Sequence, residues 1–167
     1  GFSNENLPYY LGGRFRASYR PLNDAIAAGR IRGVVGLVGC NTTRVTQDSH
    51  HLLLARQLIA QDVLVAHTGC SAIASAKAGL MSPRAALEHA GPGLREVCET
   101  VGIPPVLHLG SCVDNSRILN VCVSIVAEGG LGQDLSDLPV AAAAPEAMSE
   151  KAITIGLYAV ASGIFTV

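Results

Sequence analysis

Charge is scarce in this 167-residue chain. Lys and Arg number 12 and Asp and Glu 13, together 15% of the residues, for a net charge of −1. So even a balance offers no field to draw in nucleic acid or an anionic membrane. Aromatics stand at 4%, with no Trp, which removes the stacking surface that base recognition needs. No apolar run reaches the roughly 20 residues of a membrane span. The longest, 152–167, is interrupted by Gly156, Ser162 and Gly163 and is expected to be a buried helix. Phosphate-loop, G-x-G-x-x-G and G-x-S-x-G patterns are all missing. So is a secretory or transit pattern, and a cytoplasmic location is expected. Five cysteines, an odd number without a secretory signal, make a disulfide framework a poor reading and leave free thiols, metal or a redox site.

What is present is apolar: 49% of the residues are hydrophobic. That excludes disorder, is enough for one core, and suits a domain surrounded by further protein. Residues 1–29 read as a lead-in segment ending in a short helix, Pro21 to Gly29, with Pro at its start and Gly at its end. From residue 30 short apolar runs alternate with helical patterns. Strands are expected at 31–38, 63–66, 105–109 and 139–144. Helices are expected at 47–61, 71–80, 83–89, 92–101 and 113–128, with a last one opening at Pro145 or Glu146. The expected fold class is therefore α/β: residues 30–167 as a Rossmann-like open parallel sheet with helices on both faces.

Gly39-Cys40, Gly69-Cys70 and Ser111-Cys112 each follow an expected strand. Ligands of open parallel sheets bind outside the carboxyl ends of the strands, so three thiols from distant stretches can meet at one rim. Gly39, Gly69 and Gly110 allow tight turns or close approach there. Peptide dipoles at a helix start favour the thiolate, the form that binds metal. Cysteine is equally a good core residue, and Cys98 and Cys122 fit that reading, each sharing a helical stripe with aliphatic neighbours. For Cys40, Cys70 and Cys112, position alone leaves ligation and packing both open. Their separations, 30 and 42 residues, match no zinc-ribbon pattern. Soft thiolates favour iron–sulfur, zinc or copper(I), and three are too few for a closed tetrahedral site. His67 and His108, just before two of the cysteines, are read as core histidines or as donors behind a ligand. His50, His51 and His89 are read as helix-surface residues.

Four segments, RIRGVVGLVGCN (30–41), VLVAHTGCSA (63–72), HLGSCVDNSRI (108–118) and MSEKAITIG (148–156), closely resemble the C-terminal domain of nickel-containing, anaerobic-type carbon monoxide dehydrogenase. Hybrid-cluster (prismane) proteins share that fold. The resemblance runs from about Tyr19 to Val167. It implies part of an enzyme that reversibly converts CO and water to CO2, two protons and two electrons at a nickel-iron-sulfur cluster. By position, Cys40 and Cys70 resemble ligands to iron of the cluster, and Cys112 resembles the nickel ligand. Lys151 matches the lysine that hydrogen-bonds bound CO2 or hydroxide and helps move protons. The same resemblance implies a redox partner such as ferredoxin and a homodimer. That cluster also needs a histidine and two cysteines from an upstream domain, for which this chain has no segment. The chain is expected to be a truncated piece, inactive alone. The alternatives are the matching domain of a hybrid-cluster reductase, distinguished by nickel content, and a metal-free scaffold.

Overall fold

The computed structural model describes residues 2–12 and 17–167. Five strands form one sheet: β1 (Gly33–Leu37), β2 (Val63–His67), β3 (Val106–His108), β4 (Val140–Ala143) and β5 (Phe165–Thr166). Their order is β3-β2-β1-β4-β5 and every pairing is parallel. This is the expected α/β architecture. The strand order reverses between β1 and β4, and the carboxyl ends of those two strands flank the crevice where such sheets place ligands.

Eight helices surround the sheet among the described residues: α1 (Leu7–Leu11), α2 (Arg20–Ala27), α3 (Ser49–Ala60), α4 (Gly69–Lys77), α5 (Arg84–His89), α6 (Pro92–Val101), α7 (Ser116–Glu128) and α8 (Glu150–Ala161). Side chains alternate between faces along a strand. Val34 and Gly36 of β1, and Val38 just past its end, face a cavity walled by α7 and α8, and a Cβ on Gly36 would already touch Ile118 of α7 at 3.3 Å. Leu37, on the opposite face, is fully buried. The α3 helix packs on β2, α8 on β5, and α2 on α7.

The strands and α6 lie close to their expected bounds, and the differences elsewhere have local causes. Residues 113–128 are not one helix. A 3₁₀ turn, Cys112–Asp114, precedes α7, closed by a capping box in which Asp114 accepts from the Ser111 N–H and hydroxyl, 2.8 and 2.9 Å. The last helix does not open at Pro145 or Glu146. Glu146 turns inward, and α8 begins only at Glu150, after an extended Ser149. Nor is 152–167 a buried helix. Gly163, at φ +84°, turns the chain into β5, which was not anticipated, and Ala159 is the one buried residue of α8. The lead-in region, residues 1–29, holds a helix that was not expected, α1, whose Leu7 and Leu11 join Tyr19, Leu22 and Ala25 in the main core.

Candidate metal centre

The three thiols sit at the carboxyl ends of β1, β2 and β3, on three different local supports. Cys70 lies in the first turn of α4. Cys112 opens the 3₁₀ turn. Cys40 meets no helix start, contrary to expectation. It lies in the loop between β1 and α3, eight residues short of Asp48, the α3 N-cap. All five cysteines are free thiols; Cys70 and Cys112 are exposed and Cys40 is half-buried.

Two of these turns are bound to each other. The Gly69 N–H donates to the Gly110 carbonyl at 3.0 Å, and the Thr68 hydroxyl, itself buried, donates to the Asn115 side-chain oxygen. Gly69, at φ +60°, leaves room that a side chain would take: a Cβ there would stand 3.1 Å from the Cβ of Cys112. The turns carrying Cys70 and Cys112 are therefore pressed together, and both cysteines line one cavity of ≈ 420 Å³ with His108 and Arg117.

Cys112 faces a second, small cavity of ≈ 80 Å³ as well. It is lined by Cys40, Cys112, Asn115, Ser149 and Lys151, with Ala142 and Ala143 of β4, the following Ala144, and Ile155 as its apolar wall. Lys151 is exposed, at the second residue of α8. Cys40 and Lys151 thus share one cavity with Cys112, and Cys70 shares another with it. Among the described residues, no three His, Cys, Asp or Glu side chains stand close enough to hold one metal ion. A mononuclear site is not built here. Soft thiols spread over these two cavities suit a group of several metal and sulfide atoms better than a single ion.

The remaining thiols and the histidines divide by burial. Cys98 and Cys122 are buried in the core, as expected, and desolvation raises their thiols to about 12 and about 11. His67 is fully buried, hydrogen-bonded to Ser75 Oγ at 3.1 Å. Burial first, then the nearby His51, lowers its pKa to about 3. His108 is half-buried and its Nδ1 accepts the Gly110 N–H at 3.0 Å; desolvation lowers its pKa. His50 and His89 are exposed, as expected of surface residues. His51 is not a surface residue. It is completely buried, sharing an inward stripe with Ala55 and Ile59 at a spacing of four, and its Nε2 lies 2.8 Å from the Cys40 carbonyl. Glu146, considered only as a helix opener, is buried against the Cys40 turn. The 51/55/59 period was the one signal for the first; nothing in the sequence marks the second.

An open parallel α/β sheet with thiols at its carboxyl rim, beside the point where strand order reverses, places those thiols where sheets of this class bind their ligands. Residues 3–167 match the Prismane/CO dehydrogenase family, and the chain belongs to that family. Carbon monoxide dehydrogenase 1 of Methanosarcina mazei is 56% identical over 167 residues, covering all of this chain and 26% of that protein. A nickel-free carbon monoxide dehydrogenase from Thermococcus sp. AM4 superposes with a TM-score of 0.89 at 52% identity, over 99% of this chain and 25% of that one. Carbon monoxide dehydrogenase IV of Carboxydothermus hydrogenoformans gives 0.92 at 48% identity, over 99% and 27%. The chain spans about a quarter of the length of the relatives it matches.

Proposed function

We propose that this chain is the part of a carbon monoxide dehydrogenase that supplies three thiolates and a lysine to a nickel-iron-sulfur active site. Cys40 and Cys70 bind iron, Cys112 binds nickel, and Lys151 handles protons. The observation that supports this most directly is the small cavity at the strand-order reversal, which Cys40, Cys112 and Lys151 line together, with Cys70 lining a second cavity that also includes Cys112. When bound, the cluster supplies the metal chemistry of CO + H2O ⇌ CO2 + 2 H+ + 2 e−.

The chain's own residues have separable tasks. The thiolates anchor the group, and the Thr68–Asn115 and Gly69–Gly110 bonds fix two of them relative to each other. The Lys151 ammonium, at the cavity wall, stabilises negative charge on substrate oxygens and takes or gives a proton there. Ala142, Ala143, Ala144 and Ile155 keep the wall apolar, which strengthens that electrostatic contact by excluding water. The complete ligand set, the electron acceptor (a ferredoxin-like protein) and a homodimeric assembly belong to the longer protein. Among the described residues no helix is long and apolar enough to cross a membrane.

The test uses a family-length protein carrying this chain. Lys151→Ala is expected to keep nickel and iron content while CO oxidation falls about 100-fold, the low end of a general acid–base contribution. Unchanged turnover with metals in place would remove Lys151 from the site.

A further inference from the structure

Cys70 and Cys112 are held by regular structure, a helix and a capped 3₁₀ turn. Cys40 has neither, yet both of its backbone groups are bonded. Its N–H donates to the Glu146 carbonyl at 2.9 Å. Its carbonyl lies 2.8 Å from His51 Nε2. A carbonyl only accepts, so Nε2 carries a proton and is the donor. Gly39, at φ +128°, brings the two partners against the turn: a Cβ there would run into the Glu146 carbonyl and stand 3.3 Å from His51 Cε1. The Glu146 side chain closes the next residue of the loop but one, accepting the Thr42 N–H at 2.9 Å, with His50 Nδ1 3.4 Å from its other oxygen.

Neither partner is ordinary packing. His51 is fully buried and its Nδ1 has no hydrogen-bond partner; Glu146 is 6% exposed. Burying an imidazole with one bare nitrogen and a carboxylate costs free energy that an alanine at 51 or an amide at 146 would avoid. The cost is incurred at the one cysteine that no helix holds. The same loop is tied a second time further along, where Asn41 and Asp48 exchange hydrogen bonds of 2.8 and 3.0 Å and Asp48 pairs with Lys77.

We propose that His51 and Glu146 are positioning residues that grip the Cys40 backbone from both sides and aim its thiol into the cavity shared with Cys112 and Lys151. This rests on Cys40 being a ligand, but the grip itself is measurable on the metal-free form of a family-length protein carrying this chain, where its failure is separate from failure of the ligand assignment. The probe is iodoacetamide, with alkylation followed peptide by peptide by mass spectrometry. Cys70 and Cys112 serve as references, and protection of Cys98 and Cys122 reports an intact fold. His51→Leu is expected to change the Cys40 rate relative to Cys70 about fivefold, the size expected for one lost hydrogen bond, in the direction of faster reaction. Glu146→Ala keeps the backbone carbonyl bound to Cys40 and removes only the side-chain bond to the Thr42 N–H, so it is expected to shift the rate in the same direction by less. His51→Gln, whose amide can replace the Nε2 donor, restores the native rate; His51→Asn, too short to reach, does not. An unchanged Cys40 rate in folded His51→Leu overturns the proposal. If His51→Leu exposes Cys98 and Cys122 by unfolding, the Gln and Asn pair decides, and equal Cys40 rates in those two overturn it.

Discussion

On the β2–β3 side of the sheet, every residue from Leu64 to His67 is buried, and α3 places His51, Ala55 and Ile59 inward. On the β4–β5 side, Val140, Ala141 and Ala142 are half-exposed, and α8 turns Ile153, Leu157, Tyr158 and Val160 to solvent. Between α7, α8 and the sheet lies a cavity of ≈ 590 Å³. Both sides are apolar in composition, but only one is closed. A helix apolar on all faces belongs in the interior of a larger body. The candidate metal centre lies along the boundary: Cys70 on the closed side, Lys151 on the open side, Cys40 and Cys112 between. Half of the site is thus carried by closely packed elements and half by elements whose outer faces are exposed.

That contrast can be broken at chosen residues. The largest effect is expected inside the closed side. Ile59→Ala should lower unfolding free energy by about 2–5 kcal/mol, the usual cost of a buried aliphatic truncation, read by denaturant unfolding. A loss under about 1 kcal/mol would mean α3 is not part of the core.

An intermediate effect is expected from pH. His67 has a folded pKa pushed down to about 3 from 6.5. Between those values the unfolded chain binds a proton that the folded chain refuses. The His67 contribution is therefore intact above pH 6.5 and is lost as pH falls toward 3, with a slope approaching about 1.4 kcal/mol per pH unit. His67→Gln, which can keep a hydrogen bond to Ser75, should flatten the stability–pH curve in that window. An identical curve would show that His67 is not titrating behind β2.

The smallest effect is expected on the open side. Leu157→Ser should leave stability within about 0.5 kcal/mol while reducing self-association, since it shrinks an exposed apolar patch. A cost above about 2 kcal/mol would mean that α8 is covered in solution.

The same contrast separates what could be read in the residues from what could not. Strand runs such as VLVA at 63–66 and the Pro-to-Val span of α6 are legible because period and terminators agree. The segment 152–167 misleads because apolar content signals burial somewhere, not burial within this chain, and because Gly163 breaks it into helix and strand. The Gly-Cys and Ser-Cys turns were visible as a repeated local design at strand ends. The partners of Cys40 were not. His51 is polar by composition yet occupies a core position, and Glu146 acts largely through its backbone carbonyl, which no side-chain pattern encodes.

The central claim is that the sulfurs of Cys40, Cys70 and Cys112 hold one inorganic group. The most direct measurement is nickel and iron content in a family-length protein carrying single alanine substitutions at 40, 70, 112, 98 and 122. Substitution at 40, 70 or 112 should deplete metal, with nickel lost first at 112, while 98 and 122 keep the native content. Full metal content at any of the first three, or equal depletion at all five, would contradict it.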